Sequence, residues 1–353
     1  RFGHRPLGLW LPETAVDLLS LRLAAEAGVR YTVLAPWQAA TNDLDHERLY
    51  RVAVGGGRDI VVAFYDGMRS AAVSFEPSAT ADADQFAQAL RAGGDRGPDD
   101  RPRITLVATD GELYGHHLAF RDLFLETLTT LPEERLGRRL TTIGDEVAEA
   151  DVDGLPEMAI RDQTSWSCHH GILRWSGRCP DALDGRWKRP LRVALERLAA
   201  AVDGIAEHEA VQLGVDIWAA RESWADVASG FREPGAGVED VLADAVAGRA
   251  AAARRLAPDD ATRIEVVLRA QSSRLAMFAS DAWFWADPDR PETIQALRLA
   301  AHAARLLDDL VGSRLEAALV EDLGAVQSSN TPLDGAQLYA HALRGIDQPV
   351  PVG

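Results

Sequence analysis

Two acidic side chains in this sequence follow short apolar runs and are the first candidates for chemistry. Glu13 ends the stretch GLWLPE, residues 8–13, and Asp110 follows RITLVAT, residues 103–109. In α/β proteins with parallel strands, catalytic groups gather at the carboxyl ends of the strands. Two carboxyl groups roughly 5–5.5 Å apart, one nucleophilic and one that donates and recovers a proton, cleave glycosidic bonds with retention. We therefore expect Glu13 and Asp110 to face one another across a shared cleft.

A purely structural interpretation of the same residues stays open. Glu13 is also placed to begin a helix at Thr14, where the helix dipole favours an acid. Asp110 followed by glycine is typical of a turn. Glu112 stands two positions after Asp110, and residues two apart leave a strand on the same side, so spacing alone does not decide which of the two acids donates a proton.

Two histidine pairs raise the question of a metal site. His116–His117 and His169–His170 fit neither H-x-x-x-H nor H-E-x-x-H, the spacings that place two imidazoles on one helix face. We predict no bound metal and no cofactor, and we expect these histidines to contact sugar hydroxyls or to pack.

Other common catalytic motifs are missing from the sequence. The one lysine, Lys188 in GRWKRP, leaves no G-K-[ST] phosphate loop and no S-x-x-K motif. GGGRD at 55–59 departs from the dinucleotide fingerprint because Ile60 stands where the third glycine belongs, so a glycine-rich turn is predicted there.

Tryptophan is frequent, with nine residues in the chain. Sugar rings present apolar faces that stack on aromatic planes, whereas most tryptophans simply pack in cores. Trp10, Trp37 and Trp166 lie near polar residues in the sequence and are the candidates for a substrate-binding wall.

The elements that must position these residues differ between two regions. Up to about residue 150, short β-branched runs such as RYTVLA, DIVVAFY and RITLVAT alternate with helical patterns over 14–27 and 82–92, which predicts parallel βαβ units. GGDRGPDDRPR, residues 93–103, is predicted to be a loop.

From about residue 188 the pattern becomes helical. Apolar residues recur on one helix face at Leu191, Leu195, Leu198, Val202 and Ile205, and Pro291 is placed to begin a later helix. We predict two domains, 1–150 (α/β) and 151–353 (mainly helical), the second opening with an irregular segment rich in Trp, Cys and His.

Composition excludes some functions. The net charge of -17 argues against binding a nucleic-acid backbone, which requires clustered Lys and Arg. No apolar run reaches the ~18 residues that a membrane span needs. The two cysteines are too few for a disulfide framework, so we expect reduced thiols in a cytoplasmic protein. The sequence carries no signal about oligomeric state.

GLWLPETAVD resembles the nucleophile segment of glycoside hydrolase family 57, a W-L-x-E pattern at a strand end, and VATDGELYGHH resembles its later D-G-E-x-x-G segment. The resemblance implies Glu13 as nucleophile and Asp110, rather than Glu112, as general acid/base. SWSCHHGILRW and the stretch from MFASDAWFWAD onward are similar to the subgroup that carries domain of unknown function 3536.

The resemblance implies an incomplete (β/α)7 barrel, here a partial one followed by a helical domain, acting on an α-glucan or maltooligosaccharide as hydrolase or transglycosidase. Glu112, His116, His117 and His169 then become candidates for substrate contacts beside the three tryptophans. Residues 280–285 read SDAWFW where the subgroup has S-C-G-W-F-F.

The family also has a His-containing and a Glu-containing segment before the nucleophile, and this sequence shows neither. We therefore expect the chain to be an N-terminally truncated fragment that lacks barrel strands and, by itself, has little or no activity.

Two other functions remain open from the sequence. Asp110 with His116 or His117 gives an unconvincing ligand set for a metal-dependent polysaccharide deacetylase. Alternatively, the helical half is the working part of a non-catalytic glucan-binding or interaction protein.

Overall fold

The computed structural model describes residues 6–91, 103–228, 241 and 257–344, and the chain divides after Ile172 into two units. The first is mixed α/β with a small sheet, and the second is helical. The boundary predicted at residue 150 lies inside the first unit. Residues 151–172 belong there because isolated backbone bridges, among them one between Val16 and Thr164, join them to earlier parts of that unit.

A three-stranded sheet in the order β1–β3–β2 organises the first unit. β1 (Tyr31–Leu34) and β3 (Arg58–Phe64) are parallel, as predicted, and their residues are largely buried. β2 (Leu49–Gly55), which was not predicted, is antiparallel to β3. Residues 55–57 of the glycine-rich turn all have positive φ, a conformation that glycine adopts at little cost, and they close this hairpin.

The segment Leu7–Leu9 extends the sheet beyond β1. The Leu9 N–H donates to the Tyr31 carbonyl at 3.0 Å, and the Arg30 N–H donates to the Leu7 carbonyl at 2.7 Å. The bridge between Gly8 and Tyr31 is parallel. The carboxyl ends of Leu7–Leu9, β1 and β3 therefore lie at one edge of the sheet.

The strand predicted at 103–109 is absent from the described sheet, and this prediction is wrong. Two backbone hydrogen bonds, each 2.8 Å long, hold this segment: Ile104 N–H to the Glu47 carbonyl, and Asp66 N–H to the Leu106 carbonyl. The neighbouring strand edges are already hydrogen-bonded to other segments. β3 lies between β1 and β2, and residues 156–158 bond to Arg51 on the outer edge of β2. Residues 103–109 bond to the chain just before β2 and just after β3, and Ile104, Leu106 and Ala108 pack against the sheet.

The helices of the first unit are α1 (Leu18–Glu26), α2 (Gly67–Phe75), α3 (Ala83–Arg91), α4 (Arg121–Thr130), α5 (Glu133–Leu136) and α6 (Ile143–Glu149). α3 confirms the helix predicted over 82–92. α1 begins at Leu18 and not at Thr14, because Thr14 has a left-handed φ of 48° and the Asp17 carboxylate caps the helix by accepting from the Ser20 N–H at 2.7 Å. The loop predicted over 93–103 lies outside the described residues except for Arg103.

The second unit consists of α7 (Leu173–Ser176), α8 (Lys188–Leu213), α9 (Ile217–Ala228), α10 (Pro258–Ala276), α11 (Pro291–Val311), α12 (Leu315–Leu323) and α13 (Gly335–Leu343). The predicted face of α8 is confirmed: its leucines and Val202 are buried and Ile205 is half-buried. Pro291 is the first residue of α11, as predicted. Among the described residues, no helix is long and apolar enough to cross a membrane.

Two charged side chains are buried beside α8. The Lys188 side chain is fully buried and its Nζ donates to the Arg174 carbonyl at 2.6 Å. The Asp184 carboxylate accepts from the N–H and the hydroxyl of Ser329 at 2.7 and 2.8 Å. The guanidinium of Arg186 and the Ser329 N–H hold the pKa of Asp184 well below its usual range. Asp184 thus fastens the loop before α13 to the start of α8.

Candidate active site

Glu13 lies in a tight 3₁₀ turn, Pro12–Thr14, directly after the Leu7–Leu9 segment. Glu13 and Thr14 both have left-handed backbones, with φ of 57° and 48°. Residues other than glycine rarely adopt this conformation, and it persists only where the surroundings over-determine it. The Glu13 side chain is half-buried. It belongs to a turn of its own at the sheet edge and not to the first turn of a helix.

Four aromatic side chains form a connected group beside this turn and are called the aromatic cluster: Trp10, Trp37, Tyr65 and Trp166. The Trp10 and Trp166 rings are 5.2 Å apart edge to face, and Tyr65 links Trp166 at 6.2 Å to Trp37 at 6.0 Å. Trp10 and Trp37 keep 42% and 48% of their surface exposed, which leaves aromatic planes accessible to a ligand. The structure thus brings together all three tryptophans predicted for a binding wall.

Hydrogen bonds from the segment 165–167 hold the Glu13 turn. The Ser167 hydroxyl donates to Glu13 Oε2 at 2.8 Å, and the Trp166 N–H donates to the Glu13 carbonyl at 3.1 Å. The Trp10 indole N–H donates to Thr14 Oγ1 at 2.8 Å. Ser167 was not predicted, because no motif or periodicity links position 167 to position 13.

Gln38 and Asp66 also lie at this edge of the sheet and were not predicted. Gln38 is fully buried and donates to the Thr14 carbonyl at 2.9 Å. Asp66 follows β3, but it caps α2 through the Arg69 N–H at 2.9 Å and pairs with the Arg69 guanidinium. Burial raises the pKa of Asp66, and the Arg69 contacts outweigh burial so that the net pKa is lowered. Asp66 is therefore a structural carboxylate, whereas Gln38 binds the backbone of the turn that carries Glu13.

Asp110 is exposed at the start of a second 3₁₀ turn, Gly111–Leu113. Ala108, two residues earlier, is buried in the same apolar group as Tyr65 and Trp166. The Thr109 hydroxyl donates to the Tyr114 hydroxyl at 3.2 Å across the turn. The segment that carries Asp110 therefore packs against the aromatic cluster that adjoins Glu13.

The remaining predicted contacts are exposed polar groups on loops. The N–H groups of His116 and His117 donate to the Glu112 carbonyl at 3.2 and 2.8 Å, which folds the histidines back over the Asp110 turn. His169 is exposed, with its ring centroid 4.0 Å from that of His170. Within the described part of the chain, Asp110, His116 and His117 do not converge as a three-ligand metal site. The geometry gives no support to the deacetylase interpretation.

A cavity of about 720 Å³ in the first unit lies apart from these residues. Its lining is mainly apolar, from residues 103–107 and from helices α3 to α6, and includes Phe86 and Phe124. None of the predicted site residues lines it. The Glu13 carboxylate, the Ser167 and Thr14 hydroxyl groups and the indoles lie together at the open sheet edge instead.

Exposed indoles beside a half-buried carboxylate are groups that can stack on sugar rings and act on glycosidic bonds. Residues 1–153 match the model of glycosyl hydrolase family 57, and residues 184–347 match that of domain of unknown function 3536. The first part of the chain is therefore similar to this hydrolase family, and most of the helical unit is similar to the second domain. No curated protein sequence is significantly similar to it.

Three solved structures are similar to the chain. An exo-type maltose-forming amylase from Pyrococcus sp. ST04 has 15% identity and a TM-score of 0.63, over 95% of this chain and 64% of that one. An α-amylase from Thermotoga maritima has 13% identity and a TM-score of 0.49, over 95% and 65%. A 4-α-glucanotransferase from Thermococcus litoralis has 16% identity and a TM-score of 0.45, over 86% and 42%.

The similarity to the Pyrococcus enzyme shows a shared fold. The chain spans less than two thirds of the length of each of these three structures.

Proposed function

We propose that this chain belongs to a retaining α-glucan hydrolase or transglycosidase in which Glu13 is the nucleophile and Asp110 the general acid/base. The observation that carries the proposal is the Glu13 turn: a carboxylate held by the Ser167 hydroxyl beside two exposed indoles, at the same sheet edge as the Asp110 segment. The parallel segments at this edge are proposed to belong to an incomplete (β/α)7 barrel.

In the proposed reaction the Glu13 carboxylate attacks the anomeric carbon while the Asp110 carboxylic acid protonates the departing glycosidic oxygen. A covalent glycosyl-enzyme forms, and the leaving sugar departs with the proton. Asp110, now a carboxylate, then removes a proton from water or from an acceptor hydroxyl, which displaces Glu13. The Ser167 hydroxyl, which donates to Glu13 Oε2, orients the carboxylate for this attack.

The aromatic cluster supplies the proposed binding surface for an α-glucan or maltooligosaccharide. The exposed planes of Trp10 and Trp37 stack on sugar rings, and Trp166 supports Trp10 from the edge. Glu112, His116, His117 and His169 are exposed polar groups suited to sugar hydroxyls. This arrangement requires neither a metal ion nor an organic cofactor.

The test uses the complete protein with maltooligosaccharides as substrates. Glu13→Gln and Asp110→Asn are each expected to lower kcat by at least ~10³-fold, because each removes a group that the reaction consumes and regenerates. Glu126→Gln, an exposed acid on α4, is the matched control and should retain turnover.

Near-normal turnover by Glu13→Gln would overturn the nucleophile assignment. Retained turnover in Asp110→Asn with loss in Glu112→Gln would transfer the acid/base role to Glu112. Glucan binding by a parent protein that shows no turnover would favour a binding protein instead.

A further inference from the structure

Two adjacent left-handed residues make the Glu13 turn costly to form. L-residues adopt this conformation only at a cost, and Thr14 is β-branched, which makes it less tolerant still. Thr14 is nevertheless buried and has a φ of 48°. Some fixed partner must hold the peptide group that follows Thr14.

Gln38 is that partner. Its side chain is fully buried, and its Nε2 donates to the Thr14 carbonyl at 2.9 Å and to Thr164 Oγ1 at 3.1 Å. Its Oε1 accepts from the Ala35 N–H at 2.8 Å. The carboxamide thus uses both of its donors and one acceptor, and it ties the end of β1 to the nucleophile turn and to the segment that carries Ser167.

The direction of these bonds is fixed by their partners. The Thr164 hydroxyl donates to the Arg161 carbonyl at 2.7 Å, so its lone pair is available to Gln38. The Thr14 carbonyl accepts only, and the Ala35 N–H donates only. A carboxylate at position 38 would set an oxygen against the Thr14 carbonyl, and an apolar side chain would leave three polar groups without this partner. Only a carboxamide satisfies all three.

We propose that Gln38 is a positioning residue for the nucleophile: its carboxamide holds the Thr14 carbonyl and keeps Glu13 in the left-handed turn that aims its carboxylate at the anomeric carbon. This inference rests on the proposed function, because it takes Glu13 as the nucleophile. Gln38 itself does not touch the substrate. Its loss should slow the chemical step while substrate binding by the tryptophans persists.

The experiment compares Gln38→Met, which keeps the length of the side chain, with Gln38→Glu in the complete protein. We expect kcat to fall about 10- to 100-fold in Gln38→Met, since small misplacements of a reacting group cost this much, and further in Gln38→Glu. KM for maltooligosaccharides should change less than about twofold. Thr80→Val removes a buried hydroxyl that accepts from Arg121 Nε at 2.8 Å elsewhere in the same unit, and it should lose stability without losing kcat.

Unchanged kcat in Gln38→Met would overturn the proposal. So would an equal fall in kcat in Thr80→Val and Gln38→Met when the two variants have the same Tm. Amide hydrogen exchange of residues 13–16 gives a readout independent of activity: exchange there should accelerate in Gln38→Met and stay unchanged in Thr80→Val. If Glu13→Gln kept full turnover while exchange accelerated in Gln38→Met, the proposed function would fail, but the role of Gln38 in holding the turn would stand. Unchanged exchange in Gln38→Met would exclude that role.

Discussion

Asp184 offers a test of the helical unit that needs no knowledge of the reaction. Replacing Asp184 by Asn keeps the size of the side chain and removes its charge. Both Ser329 donors reach one carboxylate oxygen, Oδ2, at 2.7 and 2.8 Å, and the other oxygen, Oδ1, accepts from the Arg186 N–H at 3.0 Å. The single oxygen of Asn can serve only one of these two sides. The connection between the loop before α13 and the start of α8 should therefore be weakened.

The expected loss follows from these contacts. A hydrogen bond to a charged group contributes about 1.5–3 kcal/mol, and Asn retains part of the set, so the cost is about 2 kcal/mol. Arg186 adds little, because its side chain is 78% exposed and the pair is screened by solvent. At roughly 2–4 °C per kcal/mol for a unit of this size, Tm should fall by about 4–8 °C at pH 7.

The pH dependence has a definite sign. The folded pKa of Asp184 is depressed, so its stabilisation is present above the ordinary carboxyl pKa of about 3.9 and is lost as pH falls toward the folded value. The Tm difference between the parent chain and Asp184→Asn should therefore be full at pH 7 and shrink below about pH 4. Glu207→Gln, an exposed acid on α8, is the control.

Thermal unfolding followed by circular dichroism at pH 7, 4 and 3 measures the effect. A Tm for Asp184→Asn equal to that of the parent at pH 7 would refute the energetic reasoning. A difference that stays constant down to pH 3 would refute the role of the charge.

The other predictions concern both units. Ser167→Ala should lower kcat several-fold with little change in KM, since it removes the hydroxyl that orients the Glu13 carboxylate, and steady-state kinetics that show the reverse would contradict this. Trp10→Ala should raise KM for maltooligosaccharides more than it lowers kcat, and an unchanged KM would remove Trp10 from the binding surface. Arg263→Ala should lower stability by about 2 kcal/mol because it leaves Glu209, 8% exposed, without its ion pair. In urea unfolding, Arg263→Ala should lower the free energy of unfolding less in a Glu209→Gln background than in the parent. An equal or larger loss in that background would contradict the role of the ion pair.

Much of the fold could be predicted from periodicity. α3, the buried face of α8 and the start of α11 at Pro291 follow from apolar spacing and from proline at the first helical position, which are local signals. Residues 103–109 have the composition of a strand, yet the edges beside them are already paired. Strand pairing depends on which segments, often distant in sequence, lie next to a strand edge, and the local sequence pattern does not contain that information.

The candidate site was predictable to the same degree. Glu13 and the three tryptophans could be chosen because each follows an apolar run or lies among polar residues, and the structure groups them. Ser167 and Gln38 could not, because a hydroxyl and an amide gain their roles only from partners far away in sequence. The left-handed backbone at Glu13 was equally hidden, since Pro-Glu-Thr is compatible with an ordinary helix start.

Chemical modification of Lys188, the single lysine of the chain, can report the unfolding of the helical unit. Its amine is fully buried and bonded to the Arg174 carbonyl, so an acylating reagent added to the folded protein meets no accessible side-chain amine. Modification of Lys188, located by peptide mapping apart from the terminal amine, therefore counts only molecules in which the start of α8 has opened. The same burial makes lysine-directed crosslinking and surface immobilisation ineffective for the native chain, and carboxyl- or guanidine-directed reagents are the ones that will work.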